Sequence, residues 1–252
     1  MTLAKLTSPL LLRRLESTSS GTVARSCSAP ASRKQYRSLS IRGACAARVL
    51  LVIAAVVGIS WFAPAAWAGK YNPTRNIGDA APDFKDLPGT DGKSHSLSEF
   101  AGREALVVVF TCNTCPTAVD YEARVKALAE KLGASGKVAV IAINSNQVAD
   151  DQLPKMKERA EREKFNFAYL RDDSQQIAKA YGATVTPEFF VLDKQRRIAY
   201  MGALDDSTDP AGVKARYVED AVAALLEGKS PAVSETVGRG CLVRYARERR
   251  KR

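Results

Sequence analysis

Cys112 and Cys115, separated by Asn113 and Thr114, are the side chains of this 252-residue sequence best placed to do chemistry. Two thiols at that spacing can close into a short disulfide and open again, so they form a two-electron exchange centre. The apolar run 105–110 leads into them and the helix-patterned run 118–132 leads out. A cysteine at a helix N-terminus meets unpaired N–H groups and the positive end of the macrodipole, and both favour a thiolate. On that basis Cys112 is expected at the helix start as the more exposed nucleophile. Cys115, one turn in, is then the resolving thiol, and Pro116 is tolerated in the first turn.

Other chemistries compete for the pair. A structural zinc site needs four ligands, and beyond the pair only Cys241 and the single histidine, His95, are available, so no metal is expected. An inert disulfide is a second alternative, although so short a loop gives little entropic stabilisation. Cys241, behind the flexible Gly238-Arg239-Gly240, is either an additional redox thiol or a small, partly buried apolar residue. Val185-Thr186-Pro187-Glu188 places a Thr-Pro where a strand begins, a position at which the missing N–H is tolerated. Glu188 is a candidate proton acceptor for Cys115 if it is partly desolvated. Asp205, Asp206 and Asp209 lack the alternation of a calcium loop and read as a solvated turn.

The elements that must hold these residues follow from pattern. Runs 105–110 and 138–143 are continuously apolar, as in strands buried on both faces. Tyr121, Val125, Leu128 and Leu132 line one side of the first helix, and Gly133 stops it. A polar loop spans 144–151, a charged helix 154–164 and a short strand 167–170. A helix capped by Asp173 or Ser174 runs to Tyr181, strands cover 189–192 and 197–201, and a last helix covers 214–226. Helices alternating with apolar strands predict an α/β three-layer sandwich with a mixed sheet.

In this setting the residues resemble the thioredoxin superfamily: strand, Cys-x-x-Cys, helix, and a later Thr-Pro before a strand. The opening Gly78-Asp79-Ala80-Ala81-Pro82-Asp83-Phe84 is similar to the redoxin (alkyl hydroperoxide reductase/thiol-specific antioxidant) branch. Cys112-Asn113-Thr114-Cys115-Pro116, Ala142-Ile143-Asn144-Ser145-Asn146, Thr186-Pro187-Glu188-Phe189-Phe190-Val191 and Gly240-Cys241 resemble a thioredoxin-like group reading Cys-Asn-His-Cys-Pro, with Thr114 replacing its histidine. The resemblance implies a thioredoxin-like α/β/α fold. It also implies a cis Pro187 packed against the dithiol, and a Thr186 that offers backbone groups to a substrate cysteine. The acid that thioredoxins usually bury on the strand before the pair is missing here.

Redoxins host two chemistries, and the residues favour one of them. If Cys115 is set on the reactive cysteine of peroxiredoxins, their threonine falls on Cys112, their proline on Val108 and their arginine on Pro187. Nothing evident then polarises a peroxide. The expectation is therefore a thiol–disulfide oxidoreductase acting on a protein client or small thiol without a cofactor. A thiol peroxidase and a binding module with a structural disulfide are the alternatives.

The net charge of +11 resides at the ends. Residues 1–68 hold nine Lys/Arg against one acid, and 244–252 hold six against one. The part between is near neutral, so no nucleic-acid partner is expected. Residues 1–48 read as a basic disordered leader. Residues 49–68 read as a signal-peptide hydrophobic region ending in Ala66-Trp67-Ala68, cleaved before Gly69, or as a membrane anchor if uncut. The domain spans 69–243, beginning with a polar linker over 69–75, and 244–252 form a frayed basic tail. The leader predicts an exported, extracytoplasmic protein with membrane contact only through an uncleaved leader. Its Ser, Ala and Arg content also fits a two-step organelle signal to a plastid lumen.

Overall fold

The computed structural model of the chain describes residues 69–246. The leader expected over 1–68 and the end of the basic tail lie outside the described residues. In chain order the elements are β1 (Leu87–Pro88), β2 (Ser94–His95), β3 (Ala105–Phe110), α1 (Pro116–Gly133), β4 (Val138–Asn144) and α2 (Leu153–Glu163). They continue with β5 (Ala168–Arg171), α3 (Gln176–Tyr181), β6 (Val185–Thr186), β7 (Glu188–Leu192), β8 (Ile198–Gly202), α4 (Tyr217–Leu226) and β9 (Cys241–Leu242).

Five strands make the central sheet in the order β5-β4-β3-β7-β8. β3 runs parallel to β4, and β4 to β5, while β7 is antiparallel to both β3 and β8. The sheet is thus mixed, with β3 at its centre. Every residue of β3 is buried, because helices cover both faces. Alternation divides the strand: Ala105, Val107 and Val109 pack with Tyr121, Val125 and Leu128 of α1 and Val218, Ala221 and Val222 of α4. Leu106, Val108 and Phe110 pack on the other face with Phe84, Leu97, Ala178 and Tyr181. The expected three-layer α/β/α sandwich is what forms.

Several local expectations change. Residues 69–75 are docked rather than a free linker: Asn72 Nδ2 donates to the Tyr181 carbonyl at 2.9 Å and Arg75 Nε to that of Ala180 at 2.6 Å. At the start of α3 the expected Ser174 accepts the Gln176 amide at 3.1 Å, and the Asp172 carboxylate adds a second cap by accepting the Ile177 and Ala178 amides at 3.2 and 3.1 Å. Asp205 is buried, not solvated, and pairs with Arg124 Nη1 at 2.7 Å. The start of the basic tail is tied down, with the Arg244 amide donating to Asn146 Oδ1 at 2.8 Å and Tyr245 Oη to the Ala183 carbonyl at 2.6 Å. Apart from the α3 cap, these partners lie far away in sequence, so no local pattern announces them.

Candidate redox site

The end of β3 rests on an aromatic platform. Phe110, Tyr181 and Phe190 pack at centroid separations of 5.2 to 5.6 Å, fixing where the strand releases the chain into the dithiol. The helix then starts later than expected. α1 begins at Pro116 with Cys115 as its N-cap, and the Cys115 sulfur accepts the Ala118 amide at 3.4 Å. Cys112 therefore precedes the helix and is not its first residue. It is not the more exposed thiol either, since both sulfurs belong to residues only 2% exposed. Cys112, Cys115 and Cys241 are all free thiols.

These positions separate the thiols electrostatically. Burial raises the Cys112 thiol above its ordinary range, the Thr186 hydroxyl partly offsets this, and the negative charge of Asp151 adds to the rise. Burial also opposes a Cys115 thiolate, but hydrogen bonds from the Cys241 side chain, the Ala118 amide, the Cys241 amide and Thr186 outweigh it and hold Cys115 below its ordinary range. These directions favour a thiolate at Cys115 over one at Cys112, the reverse of the expected order. Among the groups that favour it, Cys241 contributes most, and the helix boundary adds the Ala118 amide, which donates to the Cys115 sulfur.

Thr186 touches all three cysteines. Its hydroxyl is 3.3 Å from Cys112 Sγ and donates to the Cys241 carbonyl at 3.5 Å, and its carbonyl lies 3.1 Å from Cys115 Sγ. The Thr186–Pro187 peptide is cis, as the resemblance implies. The Thr186 backbone, however, is not an open edge for a substrate cysteine. β6 and β9 pair antiparallel, with Thr186 opposite Cys241 and Val185 opposite Leu242. Gly240 permits this approach, because a Cβ there would land on the Thr186 carbonyl. Cys241 itself is exposed and beside the pair, not the partly buried apolar residue of the alternative reading.

Glu188 is close by but faces a different task. Its carboxylate accepts the Thr184 and Val185 amides at 2.8 and 3.2 Å, bracing the turn into Pro187. Burial raises its pKa above the ordinary carboxylate range and those amides oppose the rise. Among the described residues no hydrogen bond joins it to either thiol of the pair, so the expected role of proton acceptor finds no contact. His95 lies apart, between Asp91 and Glu99 at 3.1 and 3.0 Å.

Asp151 is the residue that sequence reasoning missed. It is fully buried at the end of the loop following β4. Its Oδ1 accepts the Asn113 amide at 2.6 Å and Asn144 Nδ2 at 3.2 Å. Its Oδ2 accepts the Thr114 hydroxyl at 2.6 Å and Asn146 Nδ2 at 3.1 Å. One carboxylate therefore clamps both residues between the cysteines. Arg171, itself fully buried, holds the loop from behind through Nη1 bonds to the carbonyls of Asn146 at 2.7 Å and Asp151 at 3.2 Å. A polar run at the carboxyl end of a buried strand, beside the strand that carries the dithiol, was the available signal.

Central mixed sheet, helix-capping dithiol and cis Thr-Pro turn define a thioredoxin-like oxidoreductase. Within that class the chain belongs to the redoxin family, whose model matches residues 76–218. Among similar proteins, the thiol-disulfide oxidoreductase ResA of Geobacillus thermodenitrificans is 27% identical over 124 residues, covering 48% of this chain and 66% of ResA, just short of two thirds. Peroxiredoxin Bcp of Escherichia coli K12 is 28% identical over 132 residues, covering 52% of this chain and 80% of Bcp. A hypothetical protein of Sinorhizobium meliloti 1021, SMc02350, is 33% identical, with a TM-score of 0.64 over 69% of this chain and 97% of that structure. An uncharacterised conserved protein of Geobacillus kaustophilus is 32% identical, with a TM-score of 0.65 over 71% of this chain and 96% of that structure.

Proposed function

We propose that this protein exchanges Cys112 and Cys115 between dithiol and disulfide with a protein or small-thiol partner outside the cytoplasm. The observation that carries this reading is the convergence of the two sulfurs on Thr186 at the start of α1, one favoured as a thiolate and the other held as a thiol. The Cys115 thiolate forms the new sulfur–sulfur bond, and Cys112 closes the pair as the partner leaves. Likeness to ResA supports exchange as the chemistry. The export-type leader supports the location, and finding Gly69 as the first residue of the secreted protein checks it.

The direct test equilibrates the protein in thiol–disulfide buffers of graded potential and maps its disulfides. The expected result is a reversible Cys112–Cys115 bond, whose potential assigns the direction of exchange. A pair that stays open, or stays closed, across the whole range overturns the proposal. Likeness to Bcp and a thiolate at the helix N-cap favour thiol peroxidase as the second reading. Cys112→Ser separates the two, because exchange needs both thiols whereas peroxide attack needs only Cys115. Peroxide consumption is expected to be slow in this variant. Fast consumption without Cys112 would replace exchange by peroxidase activity.

A further inference from the structure

The Cys115 sulfur has two thiol neighbours rather than one. Cys112 lies on one side, and both thiols contact Thr186. On the other side β9 sets Cys241 beside Cys115: the Thr186 carbonyl lies 3.1 Å from Cys115 Sγ while the Thr186 hydroxyl donates to the Cys241 carbonyl at 3.5 Å, and the nearby Cys241 thiol favours the ionised form of Cys115. Cys241 is fixed there by the β6–β9 pairing and by the close approach that Gly240 allows. The two inner thiols are buried and Cys241 is exposed. A buried thiolate cannot easily meet a disulfide on the surface of a folded protein. An exposed thiol in contact with it can.

We propose that Cys241 is the exposed entry thiol of a three-cysteine relay, in which Cys115 forms alternative disulfides with Cys241 and with Cys112 and the client is a protein disulfide. This deepens the exchange reading and rests on it. Cys241, having passed its proton to the neighbouring Cys115 thiolate, attacks the client disulfide. A Cys241–client bond forms and the first client sulfur leaves as a thiolate that takes up a proton. Cys115, deprotonated again, attacks the Cys241 sulfur, forming Cys115–Cys241 and releasing the second client thiol. Cys112 then gives up its proton and attacks Cys115, forming Cys112–Cys115 and returning Cys241 as a thiol. Two electrons pass from Cys112 and Cys115 to the client, which ends as a dithiol; Cys112 supplies one of its two protons and, because Cys115 starts as a thiolate, solvent supplies the other. The same steps run backwards when the client is the dithiol. β9 occupies the Thr186 edge that a client strand would otherwise take, which is why the client must enter through Cys241.

Two measurements on the full chain test the relay. Mild oxidation of Cys112→Ser with diamide, followed by tryptic mapping, is expected to join peptide 240–244 to peptide 104–124 through Cys241 and Cys115. A Cys241 that stays fully alkylatable overturns the relay. Second, the reduced protein is oxidised by a folded protein disulfide and by the small disulfide of glutathione. The ratio of the two rates is expected to fall at least about tenfold in Cys241→Ser, as an exposed entry thiol is lost. Cys241→Ala and a circular dichroism spectrum guard against misfolding. A ratio unchanged in both variants overturns the relay. The wild-type Cys112–Cys115 bond reports the underlying exchange separately, so the two readings can fail independently.

Discussion

Cys115→Ser is expected to abolish disulfide exchange, slowing it on the order of a thousandfold or more, because it removes the thiol without which no Cys112–Cys115 disulfide can form. The size of the effect follows from the asymmetry of the pair. Cys115 caps α1, accepts the Ala118 amide and is favoured as a thiolate by its neighbours. Cys112 has no helix behind it, is raised by burial and faces the charge of Asp151. At neutral pH the remaining Cys112 thiol in Cys115→Ser is therefore both poorly ionised and without a partner to close upon. Serine is close in shape and can still accept the Ala118 amide, so the fold is expected to persist. The check is turnover of a protein disulfide, together with a thiolate titration by ultraviolet absorbance. Wild type should show a step below the ordinary cysteine range that Cys115→Ser lacks. Retention of that step, or of wild-type turnover, would assign the thiolate to Cys112 instead.

Asp151→Ala is expected to destabilise the protein by about 3–5 kcal/mol, the scale for removing one partner from a buried charged hydrogen-bond network. Four donors lose their acceptor at once: the Asn113 amide, the Thr114 hydroxyl and the side-chain amides of Asn144 and Asn146. Asn144 and Asn146 are buried, so the Asn146 side-chain amide loses its acceptor where solvent does not readily replace it. The midpoint of urea unfolding checks this, with an unchanged midpoint counting against the clamp. Asp151→Asn keeps the shape and removes the charge. Since that charge raises Cys112, its loss is expected to lower the pH at which Cys112 ionises. An unmoved Cys112 titration would show that the clamp acts through geometry alone.

Much of the scaffold was legible because its determinants are local. The six apolar residues of β3 form a short, valine-rich run of strand length buried on both faces, and the spacing of Tyr121, Val125 and Leu128 faces one side of a helix. Glu188 shows where local reading stops. A carboxylate next to Pro187 looked free to serve the thiols, but the turn it follows left the Thr184 and Val185 amides without partners, and they claimed it. Thr114, marked as the replacement for a histidine, proved to be a ligand of a carboxylate 37 residues away.

The sequence by itself determined the chemistry: two thiols at redox spacing, between a strand and a helix, with a Thr-Pro turn to lie against them. Only the tertiary structure decided how that chemistry is divided among the sulfurs. The start of α1 makes Cys115 its N-cap, the loop after β4 brings Asp151 against Asn113 and Thr114, and β9 folds back to seat Cys241 beside the pair, where it lowers the Cys115 pKa. Thiol acidity is set by whichever dipoles, charges and donors are within a few ångströms, and here most of those come from distant parts of the chain.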